Sequence, residues 1–528
     1  MDCRTNLDIL ALWKKLKNFG QEFTIQEIRK MKNILPIFKI VGLIYLTALN
    51  SYACGMNKGN HDIGEDLEGR SARSLVKAHD CKRETPSCVL SHQEVDRLYE
   101  EIKNGHEGIF NQLKSFAEQG DAFAQTRLAF CYSNGQGISK NEEEAVRWYR
   151  LAADQGNTMA QCALGICYAN GIGVRKNDHE AVHWYRLAAD QGHSVAQYNL
   201  GVCYDMGTGI NKDDHEAIRF WHLAADQGDA SAQCALGMRY EDGIGVRKDE
   251  HEAVRWYRLA ADRGNTTAQY NLGLCYNLGI GISKNDDEAI RCWRLAANQG
   301  DASAQCNLGV CYAAGVGVRK DEGEAVLWYR LAADQGHASA QYALGKRYEN
   351  GIGVRKNDHE AVRWYRLAAE QGDASAQCNL GLCYDNGIGV RKDEHEAVRW
   401  YRLAADQGEA IAQYNLGLCY SMGIGVRKDE HEAVRWHRLA AEQGYASAQS
   451  NLGLCYNLGI GISKDEHESV RWTRLAADQG HASAQSTLGI CYENGIGVRK
   501  DEVEAVYWYR LAAEQGNELA VERLKHFR

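Results

Sequence analysis

From Asp121 to Gly516 the chain alternates two hydrophobic patterns, and the alternation returns every 36 residues. In the first pattern apolar residues recur at i, i+4 and i+8, as in Ala160, Leu164 and Tyr168, with Cys167 on the same arc and Gly165 beside it. That spacing puts one apolar stripe along a helix of 3.6 residues per turn, with a glycine that permits close helix approach. In the second pattern Trp256, Trp364 and Trp400 recur with Ala, Val and Leu, which predicts a second helix with an aromatic buried face. Between them, glycines two apart, such as Gly171 and Gly173, end the first helix and turn the loop. The second helix opens at an Asn or Asp followed three residues later by Glu, as in Asn177 with Glu180, Asp249 with Glu252 and Asp393 with Glu396. These pairs predict a capping box, and Gly192 or Gly264 marks the end of the helix. Eleven such units follow one another without insertion or deletion. A fixed period in this range specifies an all-α solenoid of helix pairs, each burying its face on its neighbours.

Composition changes the expectation from several domains to one repeated architecture. A chain of 528 residues exceeds the size at which a single core usually keeps growing, yet 53 glycines and 2 prolines fit helices punctuated by glycine. The net charge of −9 is distributed as interspersed acids and bases with no basic stripe, which argues against a nucleic-acid surface.

The flanks divide into distinct segments. Met31-Lys32 followed by the uncharged, mostly apolar Ile40 to Leu49 and then Ser51-Tyr52-Ala53-Cys54 has the layout of a signal peptide or lipoprotein signal over residues 31–54. That apolar run is too short to span ~30 Å of hydrocarbon as a helix. Residues 1–30 then read as an upstream extension ahead of the true start. Cleavage after Ala53 would leave Cys54 first, a candidate lipidation site, although Ser51 and Tyr52 depart from the lipoprotein pattern and a plain cleaved signal is the alternative. Residues 55–89 read as a flexible linker, residues 90–120 as an N-terminal helical cap, and residues 517–528 as a C-terminal cap helix.

Eighteen cysteines in an exported chain suggest disulfides, but the spacing argues otherwise. Nine occupy the eleventh position of the repeat, including Cys131, Cys167, Cys203 and Cys275, and four more occupy the sixth, including Cys162. Five residues along one helix is not a disulfide geometry, and without a CxxC pair no zinc site is expected; Cys81 and Cys88 are the better candidates for a bridge. The GxG loops lack the preceding strand and the further Gly and Lys of a phosphate loop, so no nucleotide or other cofactor is expected. His251, His395 and His431 read as solvated first-turn residues, and Arg258 with Asp262 as a surface i+4 pair.

The unit resembles the Sel-one-like repeat family, a branch of the tetratricopeptide-type helical repeats. Leu164-Gly165-x-x-Tyr168 and Ala181-x-x-x-Tyr185 carry the tetratricopeptide skeleton, while Gln161 in place of its Trp, the 36-residue length and the GxGV loop mark the Sel-one-like branch. The resemblance implies a right-handed α-solenoid of antiparallel helix pairs, eleven 36-residue repeats with helical caps. It also implies an adaptor that holds a protein or peptide in the concave groove lined by the first helices, in envelope assembly or host interaction. A cysteine-rich subgroup of the family is linked to β-lactam binding and hydrolysis, which supplies the alternative function. That subgroup's paired cysteines bridge the helices of a repeat, a spacing this chain does not reproduce.

Copies within the chain differ at few positions, and those differences mark the candidate site. The sixth position alternates Cys162, Tyr198, Cys234, Tyr270, Cys306, Tyr342, Cys378, Tyr414, the signature of a duplicated two-repeat block. On the resemblance, the candidate partner-binding residues are Tyr198, Tyr270, Tyr342 and Tyr414 at that position, with Asp205, Asn277, Glu349 and Asp385 at the thirteenth. No asymmetric catalytic constellation stands outside the repeat, so no enzyme is expected. Nucleic acid and small molecules are not expected as partners, and the membrane only through an N-terminal lipid on a secreted or envelope protein.

Overall fold

A computed structural model describes residues 92–104 and 108–527. The expected upstream extension, signal, Cys54 lipidation site, linker and Cys81–Cys88 bridge lie outside the described residues. Twenty-five α-helices and a terminal 3-10 turn, Lys525–Phe527, make up the described chain, and no strand occurs among the described residues. Described residues up to Asn285 belong to one compact unit and those from Asp286 onward to another.

Within each unit the packing repeats. Inside a unit a first helix lies against the second helix of its own repeat and against the second helix of the preceding one; Thr158–Asn170, for example, packs on both Asp178–Asp190 and Glu142–Asp154. Among the described residues no helix is long and apolar enough to cross a membrane. Before the first repeat, helices His92–Lys103 and Ile109–Glu118 bury Val95, Leu98, Ile102 and Leu113. After the last repeat, Glu518–Leu524 repeats the start of a first helix, and the Phe527 ring comes within 6.2 Å of Tyr509 across the end of the stack.

Helix ends follow the local sequence closely, with one correction. First helices are capped by side chains such as Asn157 Oδ1, which accepts from the Ala160 amide at 3.0 Å, and close on left-handed glycines such as Gly171, φ 72°. The second loop glycine serves a different need. At Gly173, φ 63°, a Cβ would stand 2.1 Å from the Glu142 carbonyl oxygen of the preceding repeat, so only glycine lets the loop approach that helix. Second helices are capped as expected by Asn177, whose side chain accepts from the His179 and Glu180 amides. The reciprocal half of the capping box is not made. The cap residue's own N–H donates instead to the Tyr168 carbonyl at 2.9 Å, and the equivalent N–H of Asp249 to Tyr240 at 2.8 Å.

The freed glutamates pair with arginine three residues on, as Glu252 does with Arg255 at 2.7 Å. Arg258 also departs from expectation. Rather than pairing with Asp262, it donates to the Tyr276 hydroxyl of the next repeat at 3.2 Å, a clasp that recurs as Arg186 to Tyr204 at 2.8 Å and Arg366 to Tyr384 at 2.7 Å. The first-turn histidines likewise act between repeats: the Nδ1 atoms of His251 and His395 meet the carbonyls of Gly281 and Gly425 in the following loop, both at 2.9 Å. Facing a carbonyl, each Nδ1 carries the proton.

Two contacts in the interior set the spacing of the stack. The first is a notch: a Cβ on Gly165, Gly237 or Gly381 would fall 2.5–2.7 Å from the ring of Tyr185, Tyr257 or Tyr401 on the second helix. The second is a buried glutamine. Gln161 donates to the Ala153 carbonyl of the preceding repeat at 3.2 Å and accepts from Gln191 of its own at 2.8 Å. This explains why a polar residue stands where the tetratricopeptide skeleton has Trp: its amide bridges two repeats with donor and acceptor both engaged. In the fourth repeat Arg263 replaces the partner glutamine, and the buried Gln233 Oε1 has no hydrogen-bond partner.

Arg263→Gln should therefore raise stability by about 1 kcal/mol, read as a higher denaturant midpoint at unchanged m-value. Gly381→Ala should lower it by roughly 1–3 kcal/mol despite the better helix propensity of Ala, because the Tyr401 ring must move; an unchanged midpoint would count against the notch.

Candidate partner-binding face

Covered by second helices on two sides, a first helix presents one remaining face, the third, seventh, tenth and fourteenth positions, spaced at i, i+4, i+7 and i+11. In the third repeat these are Val195, Asn199, Val202 and Met206, and in the tenth Ser447, Asn451, Leu454 and Leu458. The sixth and thirteenth positions border this face.

The candidate tyrosines are half-buried wedges between repeats rather than free rings. Tyr342 accepts a hydrogen bond from Asn379 of the next repeat at 3.4 Å, and its ring lies 5.9 Å from that of Tyr365. Tyr414 lies 5.5 Å from His437 and 5.3 Å from Tyr445. Tyr198 and Tyr270 are half-buried in the same way, and the Tyr198 carbonyl takes the Trp221 indole N–H at 3.2 Å.

Thirteenth-position acids are held from beneath. The phenols of Tyr257 and Tyr365 donate to Glu241 and Glu349 at 2.7 and 2.8 Å, and that of Tyr401 to Asp385 at 3.4 Å. Burial, reinforced by the neighbouring Glu349, pushes the Tyr365 phenol far above its ordinary range, so it remains a donor. Glu349 also takes the Lys346 ammonium at 2.6 Å. Asn277 is half-buried at the same position.

Two arginines at the eleventh position escape a reading of periodicity alone. Arg239 and Arg347 replace the usual eleventh-position cysteine, and each turns to the preceding repeat. Arg239 pairs with Asp205 at 2.5 Å and lies over the Trp221 ring; Arg347 pairs with Glu322 at 2.6 Å and lies over Tyr329. The Cys-to-Arg exchange itself was the available signal. The fourteen described cysteines are free thiols, and burial pushes those of Cys162 and Cys234 up to about 12, which leaves them protonated and poorly nucleophilic.

The ninth and tenth repeats depart from the ring-in-notch pattern. His437 and Thr473 stand where other repeats carry Tyr or Trp. His437 is 2% exposed, its Nδ1 has no hydrogen-bond partner, and burial lowers its pKa to about 4.

Comparisons with known proteins identify the architecture. The Sel1 repeat model matches eleven consecutive segments from residues 122–157 to 482–517, one residue out of phase with the division used above. The chain belongs to the Sel1 repeat family, whose solenoids are scaffolds typical of protein–protein interaction and typically non-catalytic. Among solved structures it is similar to a protective antigen of uropathogenic Escherichia coli strains that displays an SLR fold, with 39% identity, TM-score 0.71, and coverage of 78% of this chain and 89% of that one. A Sel1 repeat protein from Oxalobacter formigenes is 34% identical over 59% of this chain and 91% of its own, with TM-score 0.47. No curated protein matches.

The buried His437 gives stability a pH dependence. Its folded pKa lies below the ordinary 6.5, so the fold favours the neutral ring; stability is complete above about pH 6.5 and falls toward pH 4, by up to about 3 kcal/mol. His437→Tyr, which restores the ring found in other repeats, should flatten that limb in denaturant titrations at pH 7 and pH 4.5.

Proposed function

We propose that the chain is an exported adaptor that holds a protein or peptide partner along the remaining face of its first helices. One observation carries the reading. The fourth, fifth and eighth positions are Ala, Gln and Leu in all eleven copies and are buried, whereas the third, tenth and fourteenth differ between copies and are half-buried or exposed in every copy. Packing therefore fixes the first set and does not explain the variation of the second. Export is supported by the segment from Met31 to Cys54, and the description of the Escherichia coli relative as a protective antigen agrees with it. No observation favours the β-lactam alternative: thirteen of the fourteen described thiols are buried, and burial pushes those of Cys162 and Cys234 up to about 12.

Val195→Lys, Ser231→Lys and Thr267→Lys together place three charges on exposed third positions of one unit. Affinity capture by the mature chain, its N-terminus read by intact mass, should lose its saturable partner by at least tenfold with helicity unchanged. Equal capture by wild type and triple variant would sink the reading, and an unmodified Cys54 would remove the lipid.

A further inference from the structure

In a complete repeat the second-helix ring covers part of the first helix. Phe130 at the tenth position meets the Tyr149 ring edge-on at 5.5 Å, and eight of the nine eleventh-position thiols are buried. The tenth repeat has no such ring. Thr473 fills the notch, its hydroxyl 2.5 Å from where a Gly453 Cβ would stand, and the sixth position is Ser450. Leu454 is accordingly 48% exposed while Leu382 and Leu418 are half-buried, and Cys455 is the one described eleventh-position thiol that is not buried. Leu458, at 57%, continues the exposed stripe one turn on, and Met422, at 58%, extends it onto the ninth repeat. Large apolar side chains left this exposed on successive first helices are the kind of surface that marks an interaction site.

Charge selects the occupant. The four first helices Ala374–Asn386, Ala410–Met422, Ala446–Leu458 and Ala482–Asn494 contain no lysine or arginine, and their two acids are Asp385 and Glu493. Glu493 is engaged by the Tyr509 phenol at 2.6 Å and by Arg523 at 3.4 Å. Asp385, one repeat before Met422, accepts from the Tyr401 phenol at 3.4 Å and borders this face half-buried.

We propose that the face of repeats eight to ten, formed by Asp385, Leu418, Met422, Leu454 and Leu458, docks an apolar segment of a partner protein that carries a lysine or arginine at one end. This rests on the partner-holding reading above and adds to it the location and the chemistry. Packed helices stand about 10 Å apart, so the base at Asp385 and the apolar anchor at Leu458 are separated by roughly 20 Å, about six extended residues. A face with an acid and no bases disfavours anionic lipid as the occupant.

The test is selection of random twelve-residue displayed peptides on the full chain. Enriched peptides should carry two or more large apolar residues with a lysine or arginine about six positions from one of them, and should bind at least tenfold more weakly to Leu454→Lys/Leu458→Lys. Asp385→Asn should relax the demand for the base alone. Thr473→Tyr, which returns the missing ring without touching the exposed residues, should weaken the same peptides and slow alkylation of Cys455. Acidic or polar consensus peptides, no enrichment, or an identical set from the Lys variant would overturn the proposal. So would self-association or vesicle binding that the Lys variant abolishes. Partner capture lost in the Val195, Ser231 and Thr267 triple variant but kept in Leu454→Lys/Leu458→Lys would leave the general reading standing and this site wrong.

Discussion

An aromatic ring seated on a glycine is the contact on which the other features of a repeat depend. Because Gly165 has no Cβ, the Tyr185 ring can lie where any side chain would collide, and the two helices close far enough to bury Leu164 and Ala188 completely. The ring's far end then determines what can stand at the edge of the partner-facing side. Where it is Tyr257, Tyr365 or Tyr401, an acid meets the phenol; where it is Trp221, the acid Asp205 is met by Arg239 instead. Where the ring is reduced to His437 or Thr473, the thirteenth position is Ser421 or Asn457. The acids therefore answer to the core as well as to any ligand, since each directs part of its hydrogen-bonding capacity inward.

Stacking depends on polar contacts that a hydrophobic pattern does not reveal. Apolar burial alone would let neighbouring repeats slide, because it is non-directional. The Gln161 amide, the Arg258–Tyr276 clasp and the His251–Gly281 contact each fix a donor to an acceptor in an adjacent repeat. A buried amide left half-satisfied costs more than the bond contributes when made, which gives the register its penalty for error. The open Gln233 Oε1 beside Arg263 shows the chain tolerating one such defect among many intact links.

Sequence patterning made the helices, their glycine stops and their apolar faces legible because each depends on spacing within one unit. Ala160, Leu164, Cys167 and Tyr168 share a buried arc for reasons of helical period alone. What it could not show were partners one repeat away. Arg258 has an acid at i+4 and still reaches Tyr276, and His251 opens its own helix yet meets the Gly281 carbonyl of the following loop. The sixth-position tyrosines show a related limit. Their alternation with cysteine is visible, but whether a ring points outward or wedges against the next helix depends on Asn379 or Tyr445, residues 37 and 31 positions on.

Divergence between copies is informative only when read through this packing. A substitution on the uncovered face changes what the surface offers and leaves the stack intact. A substitution at the ring position changes both, because removing a ring exposes first-helix residues that the ring had covered. Leu454 is an ordinary tenth-position leucine in sequence, no different from Leu382 or Leu418, and nothing in its own helix distinguishes it. Its exposure originates at Thr473, nineteen residues later on another helix. In a repeat protein, a distinctive surface can thus arise from a change in the interior, and the residue that makes it is not one of the residues that display it.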